Sequence, residues 1–206
     1  MAEWLIENPI VTGALTTLLM WCDYFLSITQ EKERQAHYYA HYKSYPINTI
    51  EGNPTVRQEI SKLKIISVKH LPFAVGLGVL VAIGLPYIPV EIARFFLGFL
   101  WGTYLIVNTQ HISNLIGYRV SKKGVHGCIW MHQRVGYYVQ AGRYFTTALF
   151  LLVLSALVQD LTLYGVTAAA FNSSFRMFMW VKKVPKIEAG DPVPAHFTDE
   201  GTTVSE

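Results

Sequence analysis

Four long apolar runs separated by polar connections set the pattern of this chain. Residues 9–28 read PIVTGALTTLLMWCDYFLSI, with Asp23 as the single charge. Residues 65–88 are apolar apart from Lys69 and His70 near the start, and Gly76, Gly78 and Gly84 suit close helix packing. Pro86 and Pro89 then mark a short turn. Residues 90–117 run through FFLGFLWGTYLIV before turning polar as NTQHISN, and residues 145–171 hold the apolar core ALFLLVLSALV with Asp160 toward the far end. Each run is long enough to cross about 30 Å of hydrocarbon as a helix.

The pattern predicts an all-α fold, a polytopic transmembrane helical bundle of four spans in one domain over residues 1–184. Residues 29–64 and 118–144 form amphipathic loops. The tail, 185–206, is rich in Pro, Thr and acids and is expected to be disordered. If Asp160 instead marks a turn, residues 161–181 form a fifth, more polar crossing.

Composition supports a membrane location. Hydrophobic residues make up 51% of the 206 and charged residues only 15%, against about 25% charged in soluble domains. Two Cys exclude a disulfide scaffold, and both are expected to be reduced thiols. No Lys or Arg precedes the first run, so it reads as a retained helix and not as a cleaved signal.

Charge gives an orientation. The first loop carries Lys32, Arg34, Lys43, Arg57, Lys62 and Lys64, and the loop before the last span carries Arg119, Lys122, Lys123, Arg134 and Arg143 with no acid. Lys and Arg mark cytoplasmic loops, so the N-terminus is expected outside. Arg176, Lys182, Lys183 and Lys186 oppose this in a four-span chain, because they would lie on the translocated side.

With that orientation, the polar residues of three spans fall in the same leaflet. An ionisable group inside a span needs a partner, which makes Asp23 the most informative residue of the first helix. At 100° per residue, Asn108, Gln110, His111 and Asn114 occupy about 160° of the third helix, opposite Leu105, Ile106 and Ile112. Lys69 and His70 lie at a similar depth. Such a face reads either as a pocket for an ion, a lipid headgroup or a small polar substrate, or as interhelical hydrogen bonding that holds the bundle together.

The first loop contains Glu51-Gly52-Asn53-Pro54. Asn53 before Pro54 must be extended or in a turn, which lets Glu51 fold back onto the pocket; the plainer reading is a turn ahead of a helix over 55–64. Upstream, Glu33, His37 and His41 recur every four residues, a spacing that on a continuing helix aligns two imidazoles and a carboxylate for Fe(II) or zinc. Tyr38, Tyr39 and Tyr42 among them also fit an interfacial aromatic belt. The basic segment bearing Lys122, Lys123, Arg134 and Arg143 fits a surface lying on anionic headgroups of the inner leaflet. A net charge of +3 gives nucleic acid no footprint.

Asp23-Tyr24-Phe25-Leu26-Ser27, Glu51-Gly52-Asn53-Pro54, and Gln110-His111-Ile112-Ser113-Asn114 with Arg119 together resemble an uncharacterised family of small bacterial multi-pass inner-membrane proteins. That family carries Asp-Tyr-x-Leu-Thr, Glu-Leu-Asn-Pro and Arg-His-x-x-Asn. Here Ser replaces Thr at 27, Gly replaces Leu at 52 and Gln replaces Arg at 110, which leaves the charge partner of Asp23 open. The resemblance implies an inner-membrane helical bundle and supplies no activity or cofactor.

The site expected from these residues is a polar cluster of Asp23, Glu51, Asn53, His70, Asn108, His111, Asn114 and Arg119. Its leading function is binding a lipid headgroup, an ion or a partner helix, as an accessory subunit of a membrane complex or a homo-oligomer. The alternatives are an intramembrane enzyme using His111 as base or metal ligand, and a small proton-coupled transporter or channel. Ser27 and Ser113 are nearby hydroxyls to which the sequence assigns no base.

Overall fold

The computed structural model describes residues 2–38, 42–45, 51, 53, 55–124, 127 and 129–186. A short helix, α1 (Ala2–Glu7), precedes the first long one, α2 (Pro9–Glu33), which opens on a proline whose fixed φ suits a first helical turn. The chain leaves α2 through a π-helical turn, Arg34–Tyr38. A strand, β1 (Tyr42–Tyr45), and a five-residue helix, α3 (Arg57–Ser61), follow within the first loop. Helix α4 (His70–Gly84) passes through a tight turn at Leu85–Tyr87 into α5 (Val90–Gly124). Strand β2 (Ile129–His132) leads into α6 (Gln133–Val158), and α7 (Leu161–Val181) completes the bundle.

Four helical segments, Pro9–Ala36, His70–Tyr87, Val90–Val120 and Gln133–Val158, are long and apolar enough to span a membrane. Large apolar side chains on their outer faces, such as Leu80, Ile83, Phe150 and Leu157, are exposed, as lipid-facing positions should be. The chain is thus an all-α, multi-pass membrane bundle. Among the described residues, the one β feature is the parallel pair of β1 and β2, with Tyr42 opposite Ile129, which ties the two long connections together.

The helix boundaries differ from the expected ones in three places. Helix α5 continues to Gly124, well past 117; at 1.5 Å per residue its 35 residues extend about 52 Å. Helix α6 begins at Gln133, so most of the expected loop 118–144 is helix or strand. The expected span 145–171 is divided: Gln159 adopts a left-handed conformation (φ 54°), and Asp160 caps α7 by accepting the amide of Leu163 at 3.0 Å. Arg94 of α5 meets the same carboxylate at 2.6 Å. A side chain that both caps a helix and pairs with a cation favours a break over continuation. Of the tail, 187–206 lies outside the described residues.

Packing follows small residues. Helices lie side by side in the order α4, α2, α5, α7, α6. A Cβ on Gly13 or Gly78 would overlap the facing backbone of α4 or α2, and one on Gly98 or Gly165 would do the same between α5 and α7. Gly76 and Gly84 face open space, so of the three glycines in that span only Gly78 serves packing. Polar pins reinforce the seams. Trp101 Nε1 donates to Thr16 Oγ1 at 2.9 Å, Ser155 and Thr167 hydroxyls meet at 2.9 Å, and Ser174 Oγ donates to Ala141 O at 2.8 Å.

The turn at 159–160 sends α7 back along α6, so Arg176, Lys182, Lys183 and Lys186 end beside the two long connections. Arg134 and the three lysines line one surface hollow, with Arg134 Nη1 donating to Val184 O at 3.3 Å.

Candidate functional site

At the end of the bundle that carries the connections, all five long helices contribute to one cavity of about 420 Å³. Its first wall is α2, whose Asp23, Ser27 and Gln30 recur at steps of four and three and so share a face. The second is α5, which contributes Tyr104, Gln110, His111 and Asn114.

His111 joins the two walls. Its Nδ1 lies 2.8 Å from Gln30 Oε1, a geometry in which Nδ1–H donates to the amide oxygen. Its Nε2 lies 3.2 Å from Ser27 Oγ and 3.1 Å from Asp23 Oδ1. With Nε2 unprotonated, it accepts from the serine hydroxyl; a proton on Nε2 faces the carboxylate and makes an ion pair. Asp23 Oδ1 is buried, and no hydrogen-bond donor among the described residues is aligned with it. Asp23 thus brings a carboxylate to the cavity lining, with His111 beside its buried oxygen. Beside this group, Gln110 Nε2 donates to Asn114 Oδ1 at 2.9 Å.

The first loop supplies the floor. Asn53 Oδ1 accepts the amide of Thr55 at 3.1 Å, and the Asn53 carbonyl accepts that of Arg57 at 3.0 Å, so the turn launches α3. Val56 and Ile60 then pack on Tyr24 and Ile28 of α2. This anchorage places Glu51 and Asn53 in the cavity wall, so one segment is both a turn before a helix and part of the lining. Glu51 Oε1 accepts the Asn53 amide at 2.6 Å. Burial pushes the Glu51 carboxyl above the usual range, and Asp23 adds to the rise, against the lowering effects of the Asn53 amide, His111 and Arg57. Tyr24 holds the far side of the loop: its hydroxyl donates to Lys64 O at 2.8 Å and its ring stacks on His70 with centroids 4.9 Å apart.

Of the eight residues expected as a cluster, Asp23, Glu51, Asn53, His70, His111 and Asn114 line this cavity. Asn108 and Arg119 do not. Asn108 is buried one turn deeper, where its Nδ2 donates to Leu19 O at 3.3 Å and tethers α5 to α2. Arg119 is exposed on the extension of α5, with Lys123 nearby; Lys122 shares that helix end. Arg143 is exposed on α6, and Arg134 belongs to the surface hollow. Of the expected metal stripe, Glu33 is the last residue of α2, His37 falls in the π-helical turn that continues from it, and His41 lies outside the described residues. Among the described residues, no three His, Cys, Asp or Glu side chains are grouped to hold a metal.

Sequence reasoning missed the opposite walls. Helix α6 presents Gln133, Tyr137, Gln140 and Tyr144, and α7 presents Ser173, Arg176 and Trp180. The guanidinium of Arg176 lies 5.6 Å from the Trp180 ring centre. Among the described residues, no carboxylate is within ion-pair distance of it. Gln30 was legible, since it shares the α2 face of Asp23; Arg176 was not, because its place depends on the turn at Asp160. A second missed feature braces the end of α2: buried Glu31 accepts from Arg34 Nη2 at 2.7 Å and Nε at 3.0 Å, and from Gln35 Nε2 at 2.7 Å. Compared with protein-family models, curated proteins and solved structures, the chain gives no match.

Proposed function

We propose that this is a plasma-membrane binding protein whose cavity, open toward the cytoplasmic leaflet, holds a small polar ligand or headgroup. The observation that carries the reading is His111: it meets Asp23, Ser27 and Gln30 at 2.8–3.2 Å in the wall of a cavity of about 420 Å³. A bundle held together by polar pins requires hydrogen bonds between helices, as at Trp101 and Thr16. It does not require a carboxylate, an imidazole and a guanidinium around a space large enough for a ligand.

The leaflet follows from charge. With α7 as a fifth crossing, the basic residues of the first loop, the α5–α6 connection and the end of α7 all face one side, which the Lys and Arg bias makes the cytoplasm. The N-terminus is then outside. Lys122, Lys123, Arg134 and Arg143 serve anionic inner-leaflet headgroups in this reading, each contributing about 1 kcal/mol near the surface. Native mass spectrometry of the gently solubilised protein tests the reading. A species of defined mass should be retained by the wild type and lost in His111→Ala; a wild type that carries nothing contradicts it.

One distance favours a second reading, an intramembrane hydrolase. Ser27 Oγ, His111 Nε2 and Gln30 Oε1 form a hydroxyl, base and orienting group in sequence. Covalent labelling of Ser27 by a fluorophosphonate, abolished in Ser27→Ala and His111→Ala, would support it. Absence of labelling removes it.

A further inference from the structure

We propose that the ligand is a zwitterionic membrane lipid whose headgroup enters sideways between α4 and α6, setting its anionic group on Arg176 and its ammonium group on Asp23 and Glu51. This rests on the cavity being a binding site, and adds the chemistry of the ligand and its route.

The charges argue for both signs in one molecule. Arg176 brings a guanidinium into the cavity wall, held over Trp180 with no carboxylate in ion-pair range among the described residues. Asp23 brings a carboxylate to the lining, one oxygen of which is buried against His111 Nε2 at 3.1 Å, and Glu51 adds a second carboxyl group to the same wall. Asp23 and Arg176 line one cavity together with Tyr104 and Tyr144, so the opposite charges border the same space. A purely anionic ligand would satisfy Arg176 but meet two carboxylates, and a purely cationic one would meet the guanidinium. A phosphate or carboxylate joined by a short linker to an ammonium satisfies both, with bidentate geometry available at the arginine.

The route follows from the order of helices. Helices α4 and α6 end the row on either side, and both line the cavity, through His70 and Phe73 on one and Gln140 and Tyr144 on the other. They are not packed against each other. The side of the cavity between them therefore faces the hydrocarbon, and Phe73, 65% exposed, stands at that edge. A cavity of about 420 Å³ takes a headgroup and leaves acyl chains in the bilayer. A free zwitterion fits the charges equally well and gains nothing from the apolar edge.

The test uses delipidated full-length protein in native mass spectrometry, with phosphatidylethanolamine, phosphatidylglycerol of the same chains, and glycerophosphoethanolamine as the chain-free headgroup. The wild type should retain phosphatidylethanolamine at least tenfold over phosphatidylglycerol, and a hundredfold excess of the free headgroup should not displace it. Selectivity should fall at least tenfold in Arg176→Gln and Asp23→Asn and persist in Arg176→Lys, which keeps the cation and controls for folding. Equal retention of the two lipids overturns the zwitterion. Displacement by the free headgroup overturns lateral entry. A non-lipid species lost in His111→Ala, with neither lipid retained, overturns this inference while leaving the binding reading intact.

Discussion

His132 shows how one side chain can tie structure to pH. It is buried at the start of α6, where Nδ1 accepts the amide of Arg134 at 3.2 Å as the helix cap. Only an imidazole without a proton on Nδ1 can do this. Burial, and secondarily the charge of Arg134, hold its pKa below the usual histidine value. A folded-state value below the unfolded one of about 6.5 means that the stabilisation is complete above that pH and is lost as pH falls through the folded value. Thermal unfolding in detergent between pH 7.5 and 5 should therefore fall more steeply for the wild type than for His132→Asn, which caps without titrating. Parallel curves would show that the cap carries no pH dependence.

The same scale shows what was legible in the chain. Asp23 stood out because a lone charge in an apolar run must find a partner, and His111 because polar residues filled one helix face. Asn108 belonged to that face by angle alone, but lies one turn deeper and bonds to backbone. Angular position along a helix does not fix depth against a neighbour.

At the scale of elements, close approach decides which glycines matter. Gly76 and Gly78 sit two residues apart in α4, yet a Cβ on Gly76 meets nothing within 4 Å while one on Gly78 would overlap Thr17 and the backbone of α2. Gly76→Ala should be neutral or stabilise by up to about 1 kcal/mol through helix propensity. Gly78→Ala should destabilise the α2–α4 pair, since overpacking costs about 1–3 kcal/mol. Equal effects in an unfolding titration would show that the two helices do not approach as described. The expected span 145–171 was misdrawn for a related reason: apolar content runs on across Gln159 and Asp160, and only the capping bond to Leu163 and the partner Arg94 reveal the break. Residues that end helices through tertiary partners leave little mark on a hydropathy profile.

For the whole molecule, the return of α7 reconciles charge with fold. A chain ending after four crossings would place Arg176 and three lysines opposite the other cations, whereas α7 brings the lysines beside Arg134 and Arg176 into the cavity that Glu51 and Asn53 of the first loop also line. In a Cys22→Ser, Cys128→Ser background, Lys186→Cys and Arg119→Cys should both react with a membrane-impermeant thiol reagent only from the cytoplasmic side, and Glu3→Cys only from the outside. Labelling of residues 186 and 119 from opposite sides would show that α7 does not cross.

Above all, Asp23 of α2 and His111 of α5 meet at 3.1 Å in the wall of one cavity. Paired cysteines test it most directly. In the same cysteine-free background, Asp23→Cys with His111→Cys should crosslink within intact membranes under a short bifunctional thiol reagent. The exposed pair Leu18→Cys with Leu105→Cys should not. Efficient crosslinking of 23 to 111 alone is the predicted result; failure of that pair, or equal yield from both, would contradict the cavity and leave a bundle without a site.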